Sequence, residues 1–129
     1  PHLVERGGGS IVNVASVAGL TGLARMPQVA HSSTKAAVIG LTRQLAAEGA
    51  TSGIRVNCLS PGLIETPATA EHLAAGPESP IGSLIAKTAL GRTGKAFEIV
   101  HVALFLASDD SSFVTGANIV ADGGLTEVI

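Results

Sequence analysis

The stretch GIRVNCLSPG, residues 53–62, carries the strongest indication of how this chain folds. It starts at a glycine, continues through a segment that contains the β-branched residues Ile54 and Val56, and stops at Pro61-Gly62. A short segment with β-branched residues between turn residues is typical of a strand. The stretch therefore predicts a strand over residues 54–59 that ends in a loop.

Similar patterns on both sides predict two more strands and two helices. The segment IVNV, residues 11–14, is rich in β-branched residues, and residues 119–121 form a shorter strand pattern. Helical spacing of apolar residues covers residues 32–48 and 96–107. The alternation of strands and helices predicts an α/β fold with a parallel sheet.

The first predicted helix carries apolar or small residues on more than one face. Val38, Leu41 and Leu45 recur at helical spacing, while residues 36, 37 and 40 are alanine or glycine. A helix covered only by its own sheet needs a single apolar stripe. The segment between the second strand and the second helix, residues 66–85, is rich in Pro, Gly, Ala and Ser and predicts short helical pieces in a mobile lid.

Composition limits the function classes that need to be considered. The 129 residues suffice for one domain, and 46% of them are hydrophobic, with no Tyr and no Trp. The net charge of −2 and the scattered basic residues argue against a nucleic-acid partner. The sequence contains no uninterrupted apolar run long enough to span a membrane, and no signal peptide is visible. We therefore expect a cytoplasmic protein. The single cysteine, Cys58, is interpreted as a small core residue.

Other charged and glycine-rich features have ordinary explanations. The four histidines are scattered and show no spacing typical of metal ligands, so we predict no metal site. The acidic side chains at positions 48, 65, 71 and 78 are interpreted as solvated surface charges. The triple glycine at residues 7–9 could indicate a phosphate loop, but such loops follow a strand and open a helix, whereas this one precedes a strand.

The predicted topology indicates where a ligand would bind. In open parallel sheets, ligands bind beyond the carboxyl ends of the strands. Those ends are Ser16 after the first strand and residues 60–62 after the second. The segment QVAHSSTKAAVIGLT, residues 28–42, adds His31 and Lys35, one helical turn apart.

Four segments in this order resemble the C-terminal half of a short-chain dehydrogenase/reductase: GSIVNVASVAG, HSSTKAAVIGLTRQLAAE, GIRVNCLSPGLIETP and GRTGKAFEIVHVALFLASDDSSFVTGANIVADGG. The resemblance spans nearly all of residues 1–129. It implies a Rossmann-type, doubly wound parallel sheet of which only the C-terminal part is visible. The glycine loop and the other determinants of the cofactor-binding half are absent from the sequence.

The resemblance also assigns roles to individual residues. Ser16 matches the serine that binds the substrate oxygen, and Lys35 matches the lysine that holds the nicotinamide ribose. Pro61, Gly62, Ile64 and Thr66 match the loop that lines the nicotinamide. Taken singly, Ser16 could be a strand-end cap and Thr66 a helix N-cap.

One substitution in the family pattern affects the expected chemistry. His31 stands where the YxxxK motif of the family has its acid/base tyrosine. An imidazole is mostly uncharged at neutral pH, so it can accept a proton but rarely has one to give. His31 is therefore either an adapted base or a replacement without catalytic function.

These observations together predict a function for the intact protein. We expect an oxidoreductase that transfers hydride between NAD or NADP and a small alcohol or carbonyl substrate, with Ser16, His31 and Lys35 at the reacting centre. The cofactor cannot be chosen because its determinants are not in these residues. The alternative is a catalytically inactive or truncated family member that serves as an assembly partner. In either case the resemblance implies a homodimer or homotetramer.

Overall fold

The computed structural model of the chain describes residues 1–23 and 26–128. These described residues form five β-strands and six α-helices. In chain order these are α1 (His2–Glu5), β1 (Gly9–Val14), α2 (Val29–Gly49), β2 (Ile54–Pro61), β3 (Ile64–Glu65), α3 (Ala70–Leu73), α4 (Pro80–Lys87), β4 (Gly94–Lys95), α5 (Ala96–Ala107), β5 (Asn118–Ala121) and α6 (Leu125–Val128). Short 3₁₀ turns at Val17–Gly19, Ala50–Ser52 and Asp109–Ser111 complete the connections.

The main sheet has three parallel strands in the order β1-β2-β5. Ile11 lies opposite Val56, and Leu59 lies opposite Ile119. The helix α2 connects β1 to β2, as parallel pairing requires a long crossover. The predicted α/β fold with a parallel sheet is confirmed.

The strand and helix ends differ from the predictions by a few residues. The helix α2 begins at Val29 rather than at residue 32, so His31 lies inside its first turn. The strand β2 continues for two residues beyond 59, and Pro61 pairs with Ala121. A proline is compatible with this position because the ladder needs no donor there; the next backbone N–H, that of Gly62, donates to the Ala121 carbonyl over 3.1 Å.

The buried face of α2 is not the one that the leucine spacing predicts. Ile39, Thr42 and Ala46 are buried against the sheet, whereas Leu41 is 52% exposed. The Asn13 amide of β1 donates to the Thr42 hydroxyl over 2.9 Å, and that hydroxyl donates to the Val38 carbonyl over 2.8 Å. A hydroxyl-bearing residue therefore faces the sheet, and Leu41 turns away from it.

The core beneath α2 is small and aliphatic. Ala15, Ile39 and Cys58 form a buried cluster, and Val38 packs against it. Cys58 has no exposed surface, which confirms its interpretation as a core residue. The small side chains at this layer let α2 approach the sheet closely.

A cluster of glycines joins the amino ends of β1 and β2. The Gly9 N–H donates to the Gly53 carbonyl over 3.2 Å. A Cβ at position 8 would lie 2.6 Å from the Gly53 oxygen, and both residues have positive φ angles. The triple glycine thus permits close backbone packing at the end of the sheet opposite the strand carboxyl ends.

The segment after β2 folds into the short helices α3 and α4, as predicted. The two-residue strands β3 and β4 also pair here, and the sequence gives no signal for them. Glu65 of β3 forms an ion pair with Lys95 of β4, and Arg92 forms one with Glu98 at 2.8 Å. These pairs link the end of the β2 loop to the start of α5.

Within the described residues, no helix is both long enough and apolar enough to cross a membrane.

Candidate active site

Ser16 lies directly beyond the carboxyl end of β1. Its hydroxyl oxygen accepts a hydrogen bond from the Ala18 N–H over 3.1 Å and caps the 3₁₀ turn Val17–Gly19. The cap interaction uses the oxygen as an acceptor, and the hydroxyl proton is still available for donation. The capping and substrate-binding roles of Ser16 are therefore compatible.

Lys35 approaches the same strand end from α2. Its ammonium donates to the Val14 carbonyl over 2.9 Å, which leaves two donors for other partners. Gly19 makes this approach possible, because a Cβ at position 19 would lie 2.7 Å from both the Lys35 carbonyl carbon and the Ala36 nitrogen. The turn that carries Ser16 thus rests directly on the helix backbone at Lys35.

A cleft of about 770 Å³ opens beyond the strand ends. Ser16, His31 and Gly62 all contribute to its wall. Residues of the lid, including Thr69, His72 and Ile81, and Leu125 of α6 also line it. Of the predicted site residues, Ser16, His31 and Gly62 therefore share one cavity.

The other predicted residues lie around this cleft rather than on its wall. Lys35 lies behind Ser16, at the Val14 carbonyl, and Pro61 is the last residue of β2. Ile64 and Thr66 line two separate pockets, of about 310 and 640 Å³ respectively. The structure thus does not place the whole predicted set around a single cavity.

The loop after β2 is held in place by the hydroxyl of Thr69. This hydroxyl donates to the Ile64 carbonyl over 2.7 Å and accepts from the Thr66 N–H over 2.9 Å. Thr69, not Thr66, occupies the N-cap position of α3, so the interpretation of Thr66 as a helix N-cap is wrong. Thr69 also lines the cleft and so connects the loop to it.

Gly62 is required at the turn of this loop. A Cβ at position 62 would lie 2.7 Å from both Cα and Cβ of Asp122. Burial acts to raise the pKa of the Asp122 carboxyl, but hydrogen bonds from Thr126 and from the Gly124 N–H outweigh it and hold the pKa below its usual value. A charged Asp122 thus fixes the turn before α6, against which Gly62 packs.

Charge interactions also anchor the far end of the loop. Hydrogen bonds from Lys95 and Thr93 lower the pKa of the Glu65 carboxyl. Glu65 is exposed, as predicted, but it is paired rather than merely solvated. Next to it, the side chain of Arg92 and the Lys95 N–H lower the pKa of Glu98 to about 2.

Most residues of the cleft wall were not identified from the sequence, among them the polar residues Gln28, Glu71 and His72. The sequence analysis treats His72 as an isolated histidine and Glu71 as a surface charge. Both are exposed, and both also face the cavity that His31 lines. Their positions depend on how the lid packs, for which the sequence contains no periodic signal. Across residues 1–23 and 26–128, no group of three metal-ligating side chains comes together.

Comparison with known proteins gives a consistent assignment. A family model described as enoyl-(acyl carrier protein) reductase matches residues 1–126. The chain is 47% identical over 125 residues to 3-oxoacyl-[acyl-carrier-protein] reductase FabG of Thermotoga maritima, covering 97% of this chain and 48% of the relative. It is 41% identical over 127 residues to Dehydrogenase/reductase SDR family member 6 of Danio rerio, covering 96% of this chain and 51% of the relative.

Solved structures support the same assignment at the level of the fold. The crystal structure of a gluconate 5-dehydrogenase from Burkholderia cenocepacia in complex with NADP and tartrate superposes with a TM-score of 0.88 at 38% identity. The match covers 99% of this chain and 49% of that chain. The chain spans about half the length of the curated relatives that it matches. The parallel sheet is thus part of a Rossmann fold, and the chain belongs to the short-chain dehydrogenase/reductase family, of whose domain it forms the C-terminal half.

Proposed function

We propose that the intact protein is an NAD(P)-dependent oxidoreductase that transfers hydride between the nicotinamide and a small alcohol or carbonyl compound. The observation that carries the proposal is the shared cleft of Ser16, His31 and Gly62, with the Lys35 ammonium next to it at the end of β1. A hydroxyl, an imidazole and an ammonium at the carboxyl ends of parallel strands suit the binding of an alcohol oxygen and the movement of its proton.

The residues of this chain fit the nicotinamide end of the cofactor. Two donors of Lys35 are free for ribose hydroxyls after its bond to Val14. The Gly62 turn has no side chain to obstruct a flat ring, and Thr69 fixes the loop beyond it. When bound, the nicotinamide supplies the hydride chemistry, and this chain supplies positions and proton transfer.

Ser16 and His31 would have different roles at the substrate oxygen, one as a hydrogen-bond donor and the other as a proton acceptor. The Ser16 hydroxyl donates to that oxygen while its own oxygen accepts from Ala18. A neutral His31 imidazole accepts the hydroxyl proton as an alcohol is oxidised. In the reverse direction the general acid is the imidazolium form, which returns the proton to the substrate oxygen.

We further propose that a preceding N-terminal half completes the domain and binds the rest of the cofactor. The strand β1 lies at an edge of the sheet, and Val14 is 52% exposed there. A parallel sheet is normally buried on both faces and extends beyond such an edge. The choice between NAD and NADP would be made by that half. The cytoplasmic location stays a prediction.

We also propose that the intact protein is a homodimer or homotetramer. The helix α5 exposes a row of large apolar side chains, with Phe97, Val100 and Leu104 each about 60% exposed. Contiguous apolar patches of this kind are typical of surfaces that are covered in an assembly.

The replacement of the family's tyrosine by His31 supports a second candidate, a catalytically inactive assembly partner.

The experiment that distinguishes the two candidates is to assay the intact protein with NAD and NADP against a panel of small secondary alcohols and ketones. Ser16→Ala should lower kcat/KM by about 10²-fold or more, because the substrate oxygen loses a hydrogen-bond donor. Ser33→Ala on α2, which lies outside the cleft wall, is the matched control. No turnover with either cofactor, together with an assembled protein, would favour the inactive partner.

A further inference from the structure

The hydroxyl of Thr69 contacts the loop after β2 at four points. Thr69 is the N-cap residue of α3, but its side chain does not cap that helix. Its oxygen lies 2.7 Å from the Ile64 carbonyl, 2.9 Å from the Thr66 nitrogen and 3.0 Å from the Thr66 hydroxyl. The Thr66 carbonyl lies 3.1 Å from the same oxygen. These distances determine which group donates in each hydrogen bond.

The direction of every bond follows from the single proton of the Thr69 hydroxyl. A carbonyl oxygen has no proton, so the 2.7 Å contact with Ile64 requires Thr69 to donate there. The Thr66 N–H can only donate to Thr69. Because the Thr69 proton is already shared with the carbonyls, Thr66 must be the donor in the contact between the two hydroxyls. The proton and both lone pairs of Thr69 are thus in use.

The Thr66 hydroxyl is left with lone pairs and no proton to offer. No group of residues 1–23 and 26–128 donates to its oxygen. Thr66 is half-buried and lines the cavity of about 640 Å³ beside the loop. Its oxygen is also 3.0 Å from that of Thr69, a residue that lines the cleft of Ser16 and His31. A ligand group that meets the Thr66 hydroxyl must therefore be a hydrogen-bond donor.

We propose that Thr69 is a positioning residue that fixes the Thr66 hydroxyl as an acceptor, so that Thr66 pairs with the amide N–H of the nicotinamide and not with its carbonyl oxygen. The inference rests on the proposed function, in which Thr66 belongs to the loop that lines the nicotinamide. Thr69 has no hydrogen-bonding capacity left for cofactor or substrate and acts through Thr66. Its effect is a preference for a ligand that carries an N–H at this position.

The test compares the binding of NAD and NADP with that of their 3-acetylpyridine analogues, in which a methyl group replaces the amide nitrogen. Isothermal titration calorimetry of the intact protein with the oxidised forms requires no turnover. The wild type should bind the amide form about 2- to 10-fold more tightly, the effect of one neutral hydrogen bond. In Thr69→Val the Thr66 proton is released and can turn toward the acetyl oxygen, so this ratio should fall toward one. Thr69→Ser, which keeps the hydroxyl, should retain the wild-type ratio.

The ratio separates this role from a purely structural one. A loop that is only less ordered binds both forms more weakly and leaves their ratio unchanged. Thr34→Val is the matched control and should keep the wild-type ratio, because the Thr34 hydroxyl on the exposed surface of α2 donates to the Ala30 carbonyl over 2.8 Å. An unchanged ratio in Thr69→Val, or a wild type without preference for the amide form, would overturn the proposal.

A second variant decides the inference if Thr69→Val does not fold. Thr66→Val removes the acceptor itself and should weaken the binding of the amide form but not that of the acetyl form. A Thr66→Val protein that prefers the amide form as strongly as the wild type would reject the proposal. If the wild type binds neither NAD nor NADP, the proposed function fails and the inference fails with it. If it binds them and only the variants behave otherwise than expected, the inference alone fails.

Discussion

Replacing Gly19 by alanine should disturb the site without touching any of its side chains. The added Cβ would lie 2.7 Å from the Ala36 nitrogen and from the Lys35 carbonyl carbon, and 3.0 Å from the Lys35 oxygen. All three are backbone atoms of α2, so no flexible side chain can move aside. Overpacking of this kind costs about 1–3 kcal/mol.

The same displacement should impair catalysis if the proposed function is correct. Relief of the overlap moves either the turn that follows Ser16 or the α2 backbone at Lys35, and so changes the distance between the two groups. A misplacement of about 1 Å can cost about 10²-fold in rate. We therefore expect a lower unfolding temperature, by about 2–4 °C per kcal/mol for a domain of 150–250 residues, and a reduced kcat/KM.

Circular dichroism melts of the intact protein and steady-state kinetics measure these two effects. The matched control is Gly22→Ala, since no described atom lies within 4 Å of a Cβ at that position. If Gly19→Ala melts together with the wild type and with Gly22→Ala, the contact between the turn and the helix is not as described and the reasoning is refuted.

Other perturbations test separate parts of the molecule. His31→Tyr in the intact protein should raise turnover by about 10²–10⁴-fold, and more for reduction than for oxidation, since a phenol brings a proton to a site that already has Ser16. A wild type faster than this variant would reject the view that His31 is a damaging replacement. The pKa of Glu98 in the folded chain is about 2, below its ordinary value of 4.5, so its ion pair with Arg92 stabilises the fold above pH 4.5 and this contribution is lost as the pH falls toward 2. Melting temperatures of Glu98→Gln should accordingly lie below those of the wild type at neutral pH and converge with them in acid, and a constant difference would contradict the assignment. Thr42→Val should cost about 1 kcal/mol in urea unfolding because it leaves the half-buried Asn13 amide without its acceptor, whereas an unchanged midpoint would show that another group accepts it. The 129-residue chain alone should bind neither NADH nor NADPH tightly, and saturable micromolar binding in a fluorescence titration would disprove this.

The strands and the main helices could be predicted because their signals are local. The strand pattern of residues 54–59 is followed closely by a proline and a glycine, and the helix predicted over residues 96–107 has the observed bounds. Ser16 could be placed at a strand end for the same reason, whereas the role of Lys35 was implied only by the family resemblance. Parallel strands bring their carboxyl ends together irrespective of the detailed packing.

The orientation of α2 could not be predicted in this way. Apolar residues occupy more than one of its faces, so periodicity alone does not choose between Ile39 and Leu41. The choice depends on a long-range hydrogen bond from Asn13 to Thr42, which joins residues of different elements. Such a contact has no local signature in either segment.

The lid residues that line the cleft could not be predicted from the sequence for a related reason. Residues 66–85 contain no regular spacing, so the sequence does not show that His72 comes to face the cavity of His31. The short ladder of β3 and β4 has only two residue pairs, fewer than any sequence pattern requires.

The glycine contact between the amino ends of β1 and β2 has a consequence for engineering the protein. Gly8 and Gly53 touch through their backbones and tolerate no side chain, while the groups of the cleft stand at the other end of the same strands. Sites that maintain the sheet and sites that select the ligand are thus separated by the length of a strand. Mutant libraries aimed at new substrates can be confined to the lid and to the loops at the carboxyl ends of the strands. The glycines at the amino ends of β1 and β2 can be kept unchanged in every variant.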